Sequence, residues 1–167
     1  MAVVLRSITD ENRDEVVALR VAPSQTRFVG TVADALADAD EIPEGNAWHR
    51  AVYADNRPVG FVMLSWNVVP KPPRIIGPWF LWNLLVDERH QHRGYGREVV
   101  TLVAQIVREN GATELLTSCV QAADGPEAFY RHLGFTPTGE FDENSEVILA
   151  LKLTTSGSTA AGSASRR

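Results

Sequence analysis

Apolar positions along this chain fall into two spacings, and the switches between them mark the elements. Val3 to Ile8 reads as a short strand. Thr9 then offers a hydroxyl N-cap, with Asp10 and Glu11 in the first turn, where carboxylates suit the helix dipole. Val16, Val17 and Leu19 give that helix an apolar side, and Pro23 ends it. A second helix is predicted over Phe28 to Ala39, followed by a polar loop from Asp40 to Asn46. Trp48 to Ala54 and Val59 to Ser65 read as strands joined by the turn residues Asp55, Asn56, Arg57 and Pro58, which predicts a hairpin. Val69 to Pro78 is proline-rich loop, and Phe80 to Val86 is a strongly apolar strand.

Helical spacing returns after Gly94 and Gly96, with apolar positions at Val99, Leu102, Val103, Ile106 and Val107 and a stop at Asn110-Gly111. A strand over Leu115 to Val120, a short helix over Pro126 to Leu133 closed by Gly134, and a hairpin of Phe135 to Phe141 with Val147 to Leu153 complete the order. This mixture predicts an α/β fold of the layered α+β kind. Residues 1–153 form one predicted domain, and 154–167 carry no large apolar residue, which predicts a disordered tail.

Composition narrows the function classes. The 167 residues suit one core, and 16 basic against 21 acidic residues give a formal charge of −5. That balance does not favour a nucleic-acid partner, and it leaves room for a cationic substrate. Cys119 is the sole cysteine, so no internal disulfide forms. The N-terminal stretch lacks the pattern of a signal peptide. No apolar run approaches the roughly 20 residues of a membrane helix. A cytoplasmic protein without a membrane partner is expected.

The most informative stretch is Gln91-His92-Arg93-Gly94-Tyr95-Gly96-Arg97, between the apolar strand and the long helix. Glycines let successive N–H groups point into one space, and a helix N-terminus adds partial positive charge, so the unit suits phosphate. Arg93 and Arg97 add full charge beside it. The chain has neither a Walker A motif nor the dinucleotide fingerprint G-x-G-x-x-G. The glycines alone fit a plain strand-to-helix turn equally well.

Gln91-x-x-Gly94-x-Gly96 resembles the acetyl-CoA signature [Q/R]-x-x-G-x-[G/A] of the GNAT superfamily of N-acetyltransferases, and it stands after the fourth strand and before the third helix, as in that family. Phe129-Tyr130-Arg131-His132-Leu133-Gly134-Phe135 resembles the family's Y-x-x-x-G-F segment. Within the superfamily, Phe80-Leu81-Trp82, Asp87-Glu88-Arg89, Gly125 to Tyr130 and Thr138-Gly139-Glu140 are most similar to bacterial spermine/spermidine acetyltransferases. The resemblance implies a mostly antiparallel twisted sheet of about six to seven strands flanked by about four helices, with the fourth and fifth strands splayed into a cleft.

The resemblance also implies a role for each block. Acetyl-CoA is the implied co-substrate, with its pyrophosphate on Gln91, His92, Arg93, Gly94, Tyr95, Gly96 and Arg97. The backbone of Leu84, Leu85 and Val86 would meet the pantetheine, and an N–H near Leu84 or Leu85 would meet the thioester oxygen. Tyr130 would be the general acid, since a phenol with a reference pKa of about 10 keeps its proton at neutral pH; core packing beside Phe129, Leu133 and Phe135 also accounts for it. Many family members carry an asparagine upstream of the tyrosine to hold pantetheine, and Ala123 stands there instead. A homodimer is carried as a family expectation.

The base and the acceptor amine stay open at this level. By strict alternation Phe80, Trp82 and Leu84 share one strand face, with Asn83 and Leu85 on the other, so the face offers no carboxylate. His49, Glu41, Glu44, Glu143 and Glu146 are candidate bases, and an ammonium can also lose its proton to water. Asp34, Asp38, Asp40, Glu41 and Glu44 form an acidic string that fits either a solvated face or a polyamine site. Trp82 can offer an aromatic face to a cation, while Trp66 and Trp79 fit sheet-end packing. Cys119 reads as a buried inert thiol, and His90 and His92 lack a third metal ligand nearby. The acceptor predicted is a primary amine, with a polyamine such as spermidine first. The alternatives are protein N-termini, lysines or other amines, or a non-catalytic acyl-CoA-binding module.

Overall fold

The computed structural model describes residues 2–154; the tail expected at 154–167 lies, beyond Thr154, outside the described residues. Seven strands form one sheet: β1 (Val4–Arg6), β2 (Ala47–Ala54), β3 (Arg57–Ser65), β4 (Phe80–Val86), β5 (Glu114–Cys119), β6 (Thr136–Phe141) and β7 (Val147–Lys152). Their order is β1-β2-β3-β4-β5-β7-β6. Every neighbouring pair is antiparallel except β4 with β5. The helices are α1 (Arg13–Val17), α2 (Val32–Glu41), α3 (Tyr95–Glu109) and α4 (Glu127–His132).

Strand alternation distributes the core to both faces. On β3, Val62 and Leu64 face α3, where Val99, Val103 and Val107 are fully buried. Phe61 and Met63 face the other way, onto Val16 of α1 and Val32 and Leu36 of α2. The sheet is thus a middle layer between two helical layers. No helix among the described residues is long and apolar enough to cross a membrane.

Two helix starts differ from the pattern-based expectation, each because of a local side-chain hydrogen bond. Thr9 does not cap α1. Asn12 Oδ1 accepts from Thr9 N at 2.8 Å, and the Thr9 carbonyl accepts from Arg13 N at 2.9 Å, so this turn precedes the helix. The second helix begins at Val32, because Thr31 Oγ1 accepts from Asp34 N at 3.0 Å while Asp34 Oδ2 accepts from Thr31 N at 3.2 Å. That reciprocal cap fixes the start beyond Phe28. The β2–β3 hairpin turns through Asp55 and Asn56, whose φ values of 52° and 65° match a two-residue turn of the primed type.

Two irregularities open the sheet at its centre. β5 pairs with β4 only through Phe80 with Leu116 and Leu81 with Thr117, after which the strands part. On its other edge, β4 carries a bulge: Met63 pairs with Asn83 and Leu64 with Leu81, leaving Trp82 as the extra residue. The bulge breaks the strict alternation expected for this strand. Trp82 packs with the α1–α2 layer together with Leu85, whereas Leu81, Leu84 and Val86 pack toward α3. Trp82 and Leu84 therefore occupy opposite faces.

Candidate active site

The parting of β4 and β5 opens a cleft of about 860 Å³. Its walls come from α2, the loop before β4, the ends of β4 and β5, the N-terminus of α3, α4 and the β6–β7 turn.

The start of α3 lines the cleft. Gly94 takes φ +83° as the N-cap, and a Cβ built there meets nothing within 4 Å, so the helix start faces open space. Glu98 N donates to Gly94 O at 3.1 Å as the first turn closes. The N–H groups of Tyr95, Gly96 and Arg97 precede that bond and have no carbonyl a turn behind them to meet. His92, Gly94, Tyr95, Gly96 and Arg97 line the cleft; Arg93 does not. Gln91 lines it too, but its side chain is occupied: Nε2 donates to Val86 O at 2.9 Å and to Gln25 Oε1 at 2.8 Å. Gln91 thereby fixes the loop to the end of β4.

Asp87 anchors the same loop from beneath. Its carboxylate is 2% exposed and accepts from Arg20 N at 3.1 Å, Arg89 N at 3.0 Å and Arg89 Nε at 2.9 Å. Burial alone would raise this carboxyl, but the bonds from Arg89 and Arg20 prevail and hold it below the ordinary aspartate range. Its stabilising effect is therefore full above the unfolded value of about 3.9 and is lost as pH falls through the lower folded value. Asp87→Ala strands two backbone N–H groups. It should lower unfolding free energy by about 2–3 kcal/mol near pH 7, the scale of hydrogen bonds to a buried charge. Urea unfolding at neutral and strongly acid pH checks this: the gap between variant and wild type should shrink in acid.

Backbone direction on β4 decides which groups face the parting. Asp87 N donates to Val59 O at 2.8 Å, toward β3. Leu85 shares that side by alternation, and its carbonyl lies 2.5 Å from a Cβ built on Gly60 of β3. Leu84 and Val86 therefore turn their backbone groups toward β5 where β5 has left. Of the three residues expected to meet pantetheine, Leu84 and Val86 line the cleft, while Leu85 gives its backbone to β3 and its side chain to the core.

Tyr130 stands where β4 and β5 part. Its ring makes edge contacts with Phe129 and Phe135 at centroid distances of 5.1 and 5.3 Å, and it lines the cleft. Burial pushes the phenol well above its ordinary pKa, and the Thr117 hydroxyl opposes that only in part. The group holds its proton at neutral pH. Thr117 itself donates to Leu81 O at 3.0 Å. Cys119, also on the wall, is pushed up to about 11, first by burial and then by the charges of Glu127 and Glu146, so it remains a neutral thiol.

Carboxylates also line the cleft. Asp34 and Asp38, one turn apart on α2, line it, as do Asp142, Glu143 and Glu146 of the β6–β7 turn. Asp38 is raised by partial burial and by the neighbouring Glu41 and Asp34 charges. Glu41 and Glu44 are exposed and fall outside the lining. His49 also falls outside it; its ring stacks on Phe61 in the α1–α2 layer, and burial followed by the Arg50 charge lowers its pKa. Trp82 does line the cleft, whereas Trp48, Trp66 and Trp79 form a cluster of their own with centroid distances of 5.4 and 4.9 Å.

Asn83 is a further cleft residue, on the face of Leu85 that alternation gives it. The bulge brings Trp82 onto the same face, and Asn83 Oδ1 is buried in the wall without a hydrogen-bond partner. Among the described residues no group of three or more His, Cys, Asp or Glu side chains is arranged to hold a metal.

The family model described as "Acetyltransferase (GNAT) family" matches residues 5–135. The chain belongs to the GNAT family. It is an acetyl-CoA-dependent N-acetyltransferase, with acetyl-CoA as co-substrate. Spermine/spermidine N(1)-acetyltransferase of Bacillus subtilis (strain 168) is 25% identical over 158 residues, covering 92% of this chain and all (100%) of that protein. Among solved structures, an acetyltransferase from Thermus thermophilus superposes with a TM-score of 0.69 at 19% identity, covering 92% of this chain and 98% of its own. An N-acetyltransferase of Thermoplasma acidophilum in complex with coenzyme A superposes with a TM-score of 0.61 at 16% identity, covering 91% and 99%. These likenesses bear out the layered fold, its sheet and the parallel β4–β5 pair of this GNAT chain.

Proposed function

We propose that this enzyme acetylates a primary amine on a flexible aliphatic polyamine, with spermidine as the first compound to test. The observation that carries the reading is one continuous cleft lined by a helix N-terminus, a protonated buried tyrosine at the parting of β4 and β5, and carboxylates of α2 and the β6–β7 turn. Resemblance to the Bacillus polyamine acetyltransferase supports the same class of acceptor.

In this reading the N–H groups of Tyr95, Gly96 and Arg97, with the Arg97 side chain, hold the pyrophosphate of acetyl-CoA. The N–H of Leu84 donates to the thioester oxygen as negative charge gathers there. The amine nitrogen bonds to the acetyl carbon, the carbon–sulfur bond breaks, and the departing sulfur takes the Tyr130 proton. The nitrogen's surplus proton then restores the phenol.

The lining carboxylates select the acceptor. A second ammonium on the same chain pairs with Asp38, Asp142 and Glu143 while the first reacts, and Trp82 offers an aromatic face worth about 0.5–2 kcal/mol to a cation. Diamines should therefore show a higher kcat/KM than monoamines of equal length, and added salt should shrink the difference by screening exposed charge. Asp38→Lys should raise KM for diamines more than for monoamines. A panel of amines assayed by thiol release checks this; preference for amino acids, aminoglycosides or peptide N-termini over every polyamine refutes the acceptor class.

A further inference from the structure

An alkyl ammonium has no lone pair, so acetyl transfer must begin with loss of a proton. β4 supplies no carboxylate for it. The β6–β7 turn does. Glu146 stands immediately before β7, where the register sets Cys119 beside Val147 and Ser118 beside Ile148. Its backbone is fixed by Asp142: Asp142 N donates to Glu146 O at 3.0 Å, and Asp142 Oδ1 accepts from Glu146 N at 2.9 Å. Its side chain is half-buried in the cleft wall, and Oε1 accepts from Ser118 Oγ at 3.1 Å. One oxygen is thus held by β5, and among the described residues no protein donor reaches Oε2.

We propose that Glu146 is the base that takes the proton of the acceptor ammonium, with Ser118 as the positioning residue that orients its carboxylate. The inference deepens the acetyl-transfer reading above and rests on it. The ammonium N–H bond breaks, its proton moves to Glu146 Oε2, and the electron pair left on nitrogen forms the bond to the acetyl carbon. Glu146 returns the proton to solvent after the product leaves. Net, one ammonium and one thioester give one amide, one thiol and one released proton.

The electrostatics match this task. Burial raises the Glu146 carboxyl above the ordinary glutamate range, the Asp142 charge raises it further, and the Ser118 hydroxyl opposes both. A base raised in this way is closer to neutral pH and takes a proton more readily. The Glu146 charge in turn raises both Tyr130 and Cys119, which places base and acid on one stretch of the cleft. Asp142 and Glu143 of the same turn, Arg74 of the loop before β4, Cys119 of β5 and Tyr130 of α4 are the titratable and charged groups on this wall.

The test is the pH profile of kcat/KM for an amine that wild type accepts. Wild type should lose activity on the acid side as Glu146 gains a proton. Glu146→Gln keeps the shape and the Ser118 contact. It should lower kcat/KM by about 10²–10⁴-fold near neutral pH, with the deficit narrowing as pH approaches the amine's own pKa of about 10. Ser118→Ala should move the acid limb to higher pH, because it removes the bond that favours the carboxylate. Asp142→Asn should move the limb to lower pH, because it removes a repelling charge. Acetyl-CoA binding to each variant reports that it is folded. An active wild type overturns the assignment of Glu146 if Glu146→Gln keeps the same profile or loses the same factor at every pH, or if neither neighbouring variant moves the limb. A wild type that acetylates no amine overturns the acetyl-transfer reading, and this inference with it.

Discussion

Tyr130→Phe should lower kcat by about 10²–10⁴-fold, the usual worth of a positioned general acid, while leaving acetyl-CoA affinity near that of wild type. The edge contacts to Phe129 and Phe135 involve the ring, not the hydroxyl, so the variant keeps its packing. What it loses is a proton held in a dry place at the parting of β4 and β5. Burial keeps that phenol protonated across the whole neutral range. The wild-type rate should therefore show no basic limb from Tyr130 in ordinary assay buffers. Single-turnover rates, which isolate the chemical step, are the appropriate measurement. A variant equal to wild type, with chemistry rate-limiting, would return Tyr130 to a purely structural role in the core.

Gly94→Val should weaken acetyl-CoA binding by about 10–100-fold. That factor corresponds to losing one hydrogen bond to a charged group, about 1.5–3 kcal/mol, at about 1.4 kcal/mol per tenfold. Gly94 is the informative position because its Cβ direction is empty: a Cβ there meets nothing within 4 Å beyond its chain neighbours, at the start of α3. The substitution also strains the backbone at φ +83°, by about 1–2 kcal/mol, so melting is measured alongside binding. Gly96 is a poorer probe, since a Cβ there lies 3.3 Å from the Phe129 ring and disturbs α4 as well as the ligand. Unchanged affinity in a folded Gly94→Val protein would remove the pyrophosphate from this loop.

Much of this architecture is legible in the chain because local signals agree with tertiary demand. The long helix shows its spacing from Val99 to Val107 and its stop at Asn110-Gly111, and the structure ends α3 at Glu109. The glycine pair and the Tyr130 segment each carry a local pattern that survives folding. What the chain does not show is set by contacts distant in sequence. The bulge at Trp82 depends on how β3 pairs with β4, so alternation places Trp82 with Leu84, and that placement reverses while Asn83 stays on the face of Leu85. Leu85 looks equivalent to Leu84 in the sequence, and only the bond from Asp87 N to Val59 O fixes the backbone direction that separates them. The acidic string on α2 and its following loop divides in the same way. Asp34 and Asp38 meet the cleft, whereas Asp40, Glu41 and Glu44 do not. Glu146, one of five candidate bases in the chain, stands out only once β5 brings Ser118 to it.

The most direct test of the account is a mixture of purified protein, acetyl-CoA and spermidine, followed for free thiol and for acetylated amine by mass spectrometry. The account predicts thiol release that depends on both protein and amine, with one acetyl group gained by spermidine per thiol released. Thiol release that spermidine does not stimulate, with no acetylated polyamine formed, would contradict it.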